Sequence, residues 1–138
     1  MITYNLEETN LYLNLLSDND KKYFLAIANR IVNIDSLIDD SEIELLETFK
    51  NEMKLTEVDY LPELEFDEIV DSITNDAVVH KIVIFELLYL SNIDEDCSAE
   101  ELLILEAMRK KWEISDEIYD ELQTLSRNLL EISKTILS

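Results

Sequence analysis

The chain contains no glycine, and its only proline is Pro62. Tight β-turns depend on glycine for positive φ, so an all-β fold is disfavoured from the outset. The same absence removes every glycine-rich phosphate-binding loop. Cys97 stands alone, which excludes an intramolecular disulfide and any Cys-x-x-Cys metal or redox motif. His80 is the only histidine, too few for a transition-metal centre or for the His–Asp clusters of helical phosphohydrolases. Bases number 11 against 32 acids, a net charge of −21. Such a surface repels nucleic-acid backbones and anionic lipid, and attracts cations and basic proteins. Long hydrophobic runs are missing too. The longest, Val78 to Leu90, is interrupted by His80, Lys81 and Glu86 and is too short to span a bilayer. Residues 1–8 have neither a basic nor an apolar signal region, so the expected location is cytoplasmic.

What remains is a helical chain. Apolar residues make up 47% of 138 positions, enough for one domain with a real core despite the charge. A short helix is expected at about 6–16. The next, about 20–34, carries Phe24, Ile27, Ala28, Ile31 and Val32 on one face, with Asp18 or Asp20 as its cap. Asp39-x-x-Glu42 reads as a capping box opening a helix at about 40–54. Another helix is expected near 67–73, with Asn75 or Asp76 capping the one after it. Segment 77–91 is apolar on almost every side. Its β-branched start suits a strand, but its length favours a central helix buried all round. Ser98-x-x-Glu101 is a second capping box, for a helix at about 99–112, and Ser115 caps a last one at about 116–137. In that last helix Ile118, Leu122, Leu125, Leu129, Ile132 and Ile136 step alternately by four and three, a coiled-coil-like seam. Packing inside the chain is its first reading, and partner binding its second.

One pattern occurs twice. Asn33-Ile34-Asp35, Glu42, Leu46 and Glu47 return in the same order and spacing as Asn92-Ile93-Asp94, Glu101, Leu105 and Glu106. Each copy joins an apolar helix to an acidic one through a carboxylate-bearing turn, so the expected internal repeat is about 20–55 and 78–114 within a single domain, 1–138.

The repeated turn, Asp35-x-x-Ile38-Asp39-x-x-Glu42 and Asp94-x-x-Cys97-Ser98-x-x-Glu101, resembles the signature of the TerB-like family. That family is named from bacterial tellurite-resistance proteins and is shared with a co-chaperone's N-terminal domain. The resemblance spans about 20–137. It implies a compact all-α domain built from two helix–turn–helix halves, which the helices read along the chain bring to a bundle of about seven, with the expected function of a non-enzymatic stress-response scaffold or cation-responsive protein-interaction domain. The family's glycine after the first Asp is replaced here by Ser36 and Glu95. A side chain at that place must accept a left-handed conformation or reshape the turn.

Asp35, Asp39, Glu42, Asp94 and Glu101 are the candidate metal ligands, since hard oxygen donors at helix starts suit Ca²⁺ or Mg²⁺. Neither loop is an EF-hand, because the twelfth positions are Leu46 and Leu105. Capping and the helix dipole explain the same spacing with no ion. His80 reads as a packed core residue, and Glu86, set among Ile84, Phe85, Leu87 and Leu88, as half of an ion pair with Arg30. Arg109-Lys110-Lys111 closes its helix at the negative end of the dipole and needs no ligand. From Leu55 to Val79 there are eight acids and no Lys or Arg. That face supports an alternative: an acidic immunity or inhibitor protein that neutralises a basic partner, in the manner of DNA mimicry.

Overall fold

The computed structural model describes residues 12–33, 44, 47, 50, 51, 61, 63–92 and 99–137. Among them every regular element is helical: a 3₁₀ turn at Leu13–Leu15, then α1 (Asp18–Val32), α2 (Phe66–Ser72), α3 (Ala77–Asn92), α4 (Ala99–Lys111) and α5 (Asp116–Leu137). Glu44, Glu47, Lys50 and Asn51 are helical as well. The all-α expectation holds. The expected total of about seven helices is not reached among the described residues. The helix expected at about 6–16 is represented by the 3₁₀ turn at Leu13–Leu15, and residues 1–11, 34–43 and 93–98, on which the rest of that helix and both repeated motifs largely fall, lie outside them.

Local chemistry sets the boundaries. Ser17, not Asp18 or Asp20, caps α1, its side chain accepting from the Asp20 amide at 3.2 Å. Asp20 instead turns inward and accepts from the Thr74 amide at 2.9 Å, tying the start of α1 to the α2–α3 joint. Asp76 caps α3 through the amides of Val78 and Val79, and Ser115 caps α5 through that of Ile118. α4 ends in a Schellman motif: the Ile114 amide donates to the Arg109 carbonyl and the Glu113 amide to that of Lys110. The residue in the left-handed position, where glycine is usual, is Glu113 at φ 56°.

α3 is the axis of the core. From Ile82 to Ser91 every residue is buried, so the segment is a helix covered on all sides along that stretch rather than a strand. α1 packs its Phe24, Ile27, Ala28 and Ile31 into the same core, and α4 adds Leu105 and Met108. Each Leu, Ile, Phe or Met side chain so buried contributes about 1.5–3 kcal/mol, and Ala28 less. α5 lies along α3 over its longest interface. Ala77 and His80 share a hollow with Ser115 and Ile118, so the two helices start at the same end.

Candidate interaction groove

α5 carries more apolar surface than α3 covers. Tyr119, Ser126 and Leu130 are buried, and Leu122 and Leu129 partly so, which marks the stripe that packs inside the chain. The adjacent stripe is open: Leu125 is 54% and Ile132 53% exposed. The seam expected from the sequence is therefore split, with Leu122 and Leu129 half in the core and Leu125, Ile132 and Ile136 facing out.

Across from the open stripe, Val78, Ile82 and Phe85 of α3 form a second ridge, and the 3₁₀ turn closes the side with Tyr12 and Leu15. The space between is a groove of about 530 Å³, in which Lys81 and Asn128 are the polar members of an otherwise apolar lining. Leu15 at 72% and Val78 at 61% exposure stand at its edge. The Tyr12 ring meets Phe85 edge-on, with centroids 5.9 Å apart, and so fixes one wall. Beside the groove, and sharing Leu125 with it, lies a hollow edged by Glu117, Asp120 and Glu121. Sequence reasoning had the α5 seam but not the groove. The signal that could have found it was an apolar arc on α5 wider than one neighbouring helix needs.

The carboxylate candidates fare differently. Asp35, Asp39, Glu42 and Asp94 lie outside the described residues. Glu101 occupies the first turn of α4 and is only 3% exposed, so its side chain is directed into the protein rather than out to solvent. Among the described residues no group of three His, Cys, Asp or Glu side chains is placed to hold a metal ion.

Several other titratable groups hold the fold together. His80 stacks on Trp112 with ring centroids 4.2 Å apart and planes 4° from parallel. Burial pushes its pKa below 6.5, opposed by the Asp76 carboxylate, a main-chain hydrogen bond at Thr74 and the more distant Asp20. Arg30, expected to pair with Glu86, instead donates from Nη2 to the carbonyls of Leu61 and Leu64 at 2.7 and 2.6 Å. Glu86 is buried within α3. The basic cluster ending α4 is consumed internally. Arg109 pairs with Glu106 and with Asp116 and lies over the Tyr119 ring, while Lys111 reaches Asp71 of α2 at 2.7 Å. Hydrogen bonds to those carboxylates raise the pKa of both bases.

Comparison with protein families, with curated proteins and with solved structures yields no match to this chain. Among the described residues no helix is long and apolar enough to cross a membrane.

Proposed function

We propose that this protein is a non-enzymatic, acidic helical module of the TerB-like type, a cytoplasmic stress-response scaffold that works by binding a partner protein with a basic surface. One observation carries the reading: an open apolar groove between α3 and α5 adjoins an acidic hollow on α5. Contiguous exposed apolar surface beside polar residues is how interaction sites present themselves on otherwise soluble domains. In this reading Asp35, Asp39, Glu42 and Asp94 would be the oxygen donors through which Ca²⁺ or Mg²⁺ tunes the module.

The test is capture from lysate by the full chain and by the Leu125→Gln/Ile132→Gln variant, with circular dichroism showing both folded. A protein retained by the wild type, identified by mass spectrometry as basic and lost from the variant, is the expected result. Identical captures by both would remove the groove from consideration.

A second reading has its own observation. Glu63, Glu65, Asp67, Glu68, Asp71 and Asp76 are all exposed on and around α2, and among them Asp71 has an ion pair, with Lys111. That face suits the immunity or inhibitor alternative, in which a basic protein is held by charge alone. Partner capture unchanged in the groove variant but abolished by neutralising Asp67 and Glu68 would favour it.

A further inference from the structure

We infer that the groove receives a short amphipathic helix of the partner, with bulky apolar anchors on one face and Lys or Arg along one flank. The inference rests on the interaction-module reading and names the ligand class for that site.

The spacing of the two walls is the first argument. On α3, Val78, Ile82 and Phe85 step by four and three; on α5, Leu122, Leu125, Leu129 and Ile132 step by three, four and three. Two parallel ridges at helical spacing leave a channel whose natural complement is a third helix, with anchors at i, i+3 or i+4, and i+7. An extended strand has period two and would not match either wall. From Leu122 to Ile132 the channel is about 15 Å long at 1.5 Å per residue, which accommodates two to three turns and three anchors.

Charge decides the flanks. Glu117, Asp120 and Glu121 are exposed beside the α5 wall, where the acidic hollow meets the groove at Leu125. Lys81 is the base that lines the groove, and it belongs to α3. The complementary helix therefore carries its bases on the flank over α5 and none on the flank over α3. The same arrangement argues against a second copy as the occupant. Each copy brings a net charge of −21, and an α5-to-α5 approach would set acids against acids.

The experiment uses the full chain and three labelled synthetic helices, read by fluorescence anisotropy. One has leucine anchors at i, i+4 and i+7 with a Lys/Arg flank. The second keeps the anchors but carries a Glu flank. The third keeps the Lys/Arg flank with alanine at the anchor positions. The first should bind saturably, about tenfold or more tighter than either of the others, a difference of about 1.4 kcal/mol or more. Its affinity should drop by a similar factor in Leu125→Gln/Ile132→Gln, and should fall as salt rises. Equal binding of the alanine-anchored helix would reduce the effect to polyanion attraction and overturn the inference. Equal binding of the Glu-flanked helix would overturn its charge assignment. A dimer in sedimentation that the double substitution dissolves would give the groove to a second copy. If a groove-dependent partner is captured from lysate but none of the three helices binds, the module reading stands and the helical ligand fails. If neither assay responds to the groove substitutions, both fail.

Discussion

The two sides of α3 are made of the same kinds of residue and meet different fates. On the inner side Val83, Leu87 and Leu90 are closed over by the core that α1 and α4 share. On the outer side Val78, Ile82 and Phe85 face a groove whose opposite wall keeps Leu125 and Ile132 half in water. Burial on the inner side is an energetic requirement of folding. On the outer side Ile82 and Phe85 are themselves only 8% exposed, so the apolar surface that folding leaves uncovered lies at Val78 and on the facing wall of α5, and contiguous exposed surface of that kind marks an interaction site. In the proposed reading stability rests on the inner side of α3 and recognition on Val78 and the exposed stripe of α5, and substitutions should separate them.

The largest effect belongs to the covered side. Leu87 has no exposed surface, and Leu87→Ala should destabilise the protein by about 2–5 kcal/mol, the usual cost of a core cavity plus lost transfer energy. Urea unfolding followed by circular dichroism measures it, with an unchanged slope expected. A loss below about 1 kcal/mol would mean the inner side is not the closed core described, and the contrast would collapse.

An effect of opposite sign is expected at the α4–α5 corner, which positions α5 and so the groove wall. Glu113 sits at φ 56° in a Schellman motif, a conformation that costs an ordinary L-residue about 1–2 kcal/mol. Glu113→Gly should therefore stabilise the fold by about 1 kcal/mol once the extra chain entropy of glycine is subtracted. Glu113→Ala removes the same charge but keeps the Cβ, so it should not reproduce the gain. If both substitutions stabilise equally, relief of charge repulsion rather than backbone geometry is the cause.

At the N-terminal end of α3, where the two sides converge, the contrast can be sharpened by pH. His80 is buried against Trp112 and its pKa lies below 6.5 in the folded protein. The unfolded chain therefore takes up this proton first, and stability rises with pH through that window. The contribution is fully present above about pH 6.5 and is lost as pH falls towards the folded-state pKa, below which the loss is complete. Because His80 is the only histidine, its ring protons can be followed without assignment by NMR. A midpoint at or above 6.5 would contradict the buried stack. Wild type should also lose stability between pH 7 and 5 more steeply than His80→Gln, whose side chain does not titrate.

How much of this was legible beforehand depended on range. Caps are local, so Ser115 and the choice between Asn75 and Asp76 could be read from their neighbours, although at α1 the local pattern points to Asp18 or Asp20 in place of Ser17. The largely apolar run of α3 announced a helix buried over most of its length. The destinations of Asp20 and Arg30 could not be read. Their partners, Thr74 and the carbonyls of Leu61 and Leu64, lie 31 to 54 residues away, and no local pattern encodes such pairings. Glu101 was correctly placed in the first turn of a helix, yet periodicity alone did not show that its side chain is buried while its neighbours Glu100 and Leu102 are exposed. For Asp35, Asp39, Glu42 and Asp94 the reading falls outside the described residues. The α5 seam was visible as spacing, but spacing records only that a stripe is apolar. Whether α3 or another molecule covers it depends on how α5 is rotated, which packing of Tyr119, Ser126 and Leu130 settles.

The smallest expected effect is the most telling. Leu125→Gln/Ile132→Gln replaces two half-exposed leucine-like side chains by polar ones of similar helix propensity. If the open stripe contributes nothing to folding, the pair should change stability by no more than about 0.5 kcal/mol per site, against the several lost at Leu87. Leu and Ile are costly to keep in water on a surface that already needs its charges for solubility, so a neutral outcome leaves their presence without a folding explanation and points to a bound partner. A loss of more than about 2 kcal/mol would show instead that the stripe is an intramolecular contact, closed by this chain itself in solution, and the two sides of α3 would then be alike. Thermal unfolding of the double variant beside Leu87→Ala, under identical salt, makes that distinction.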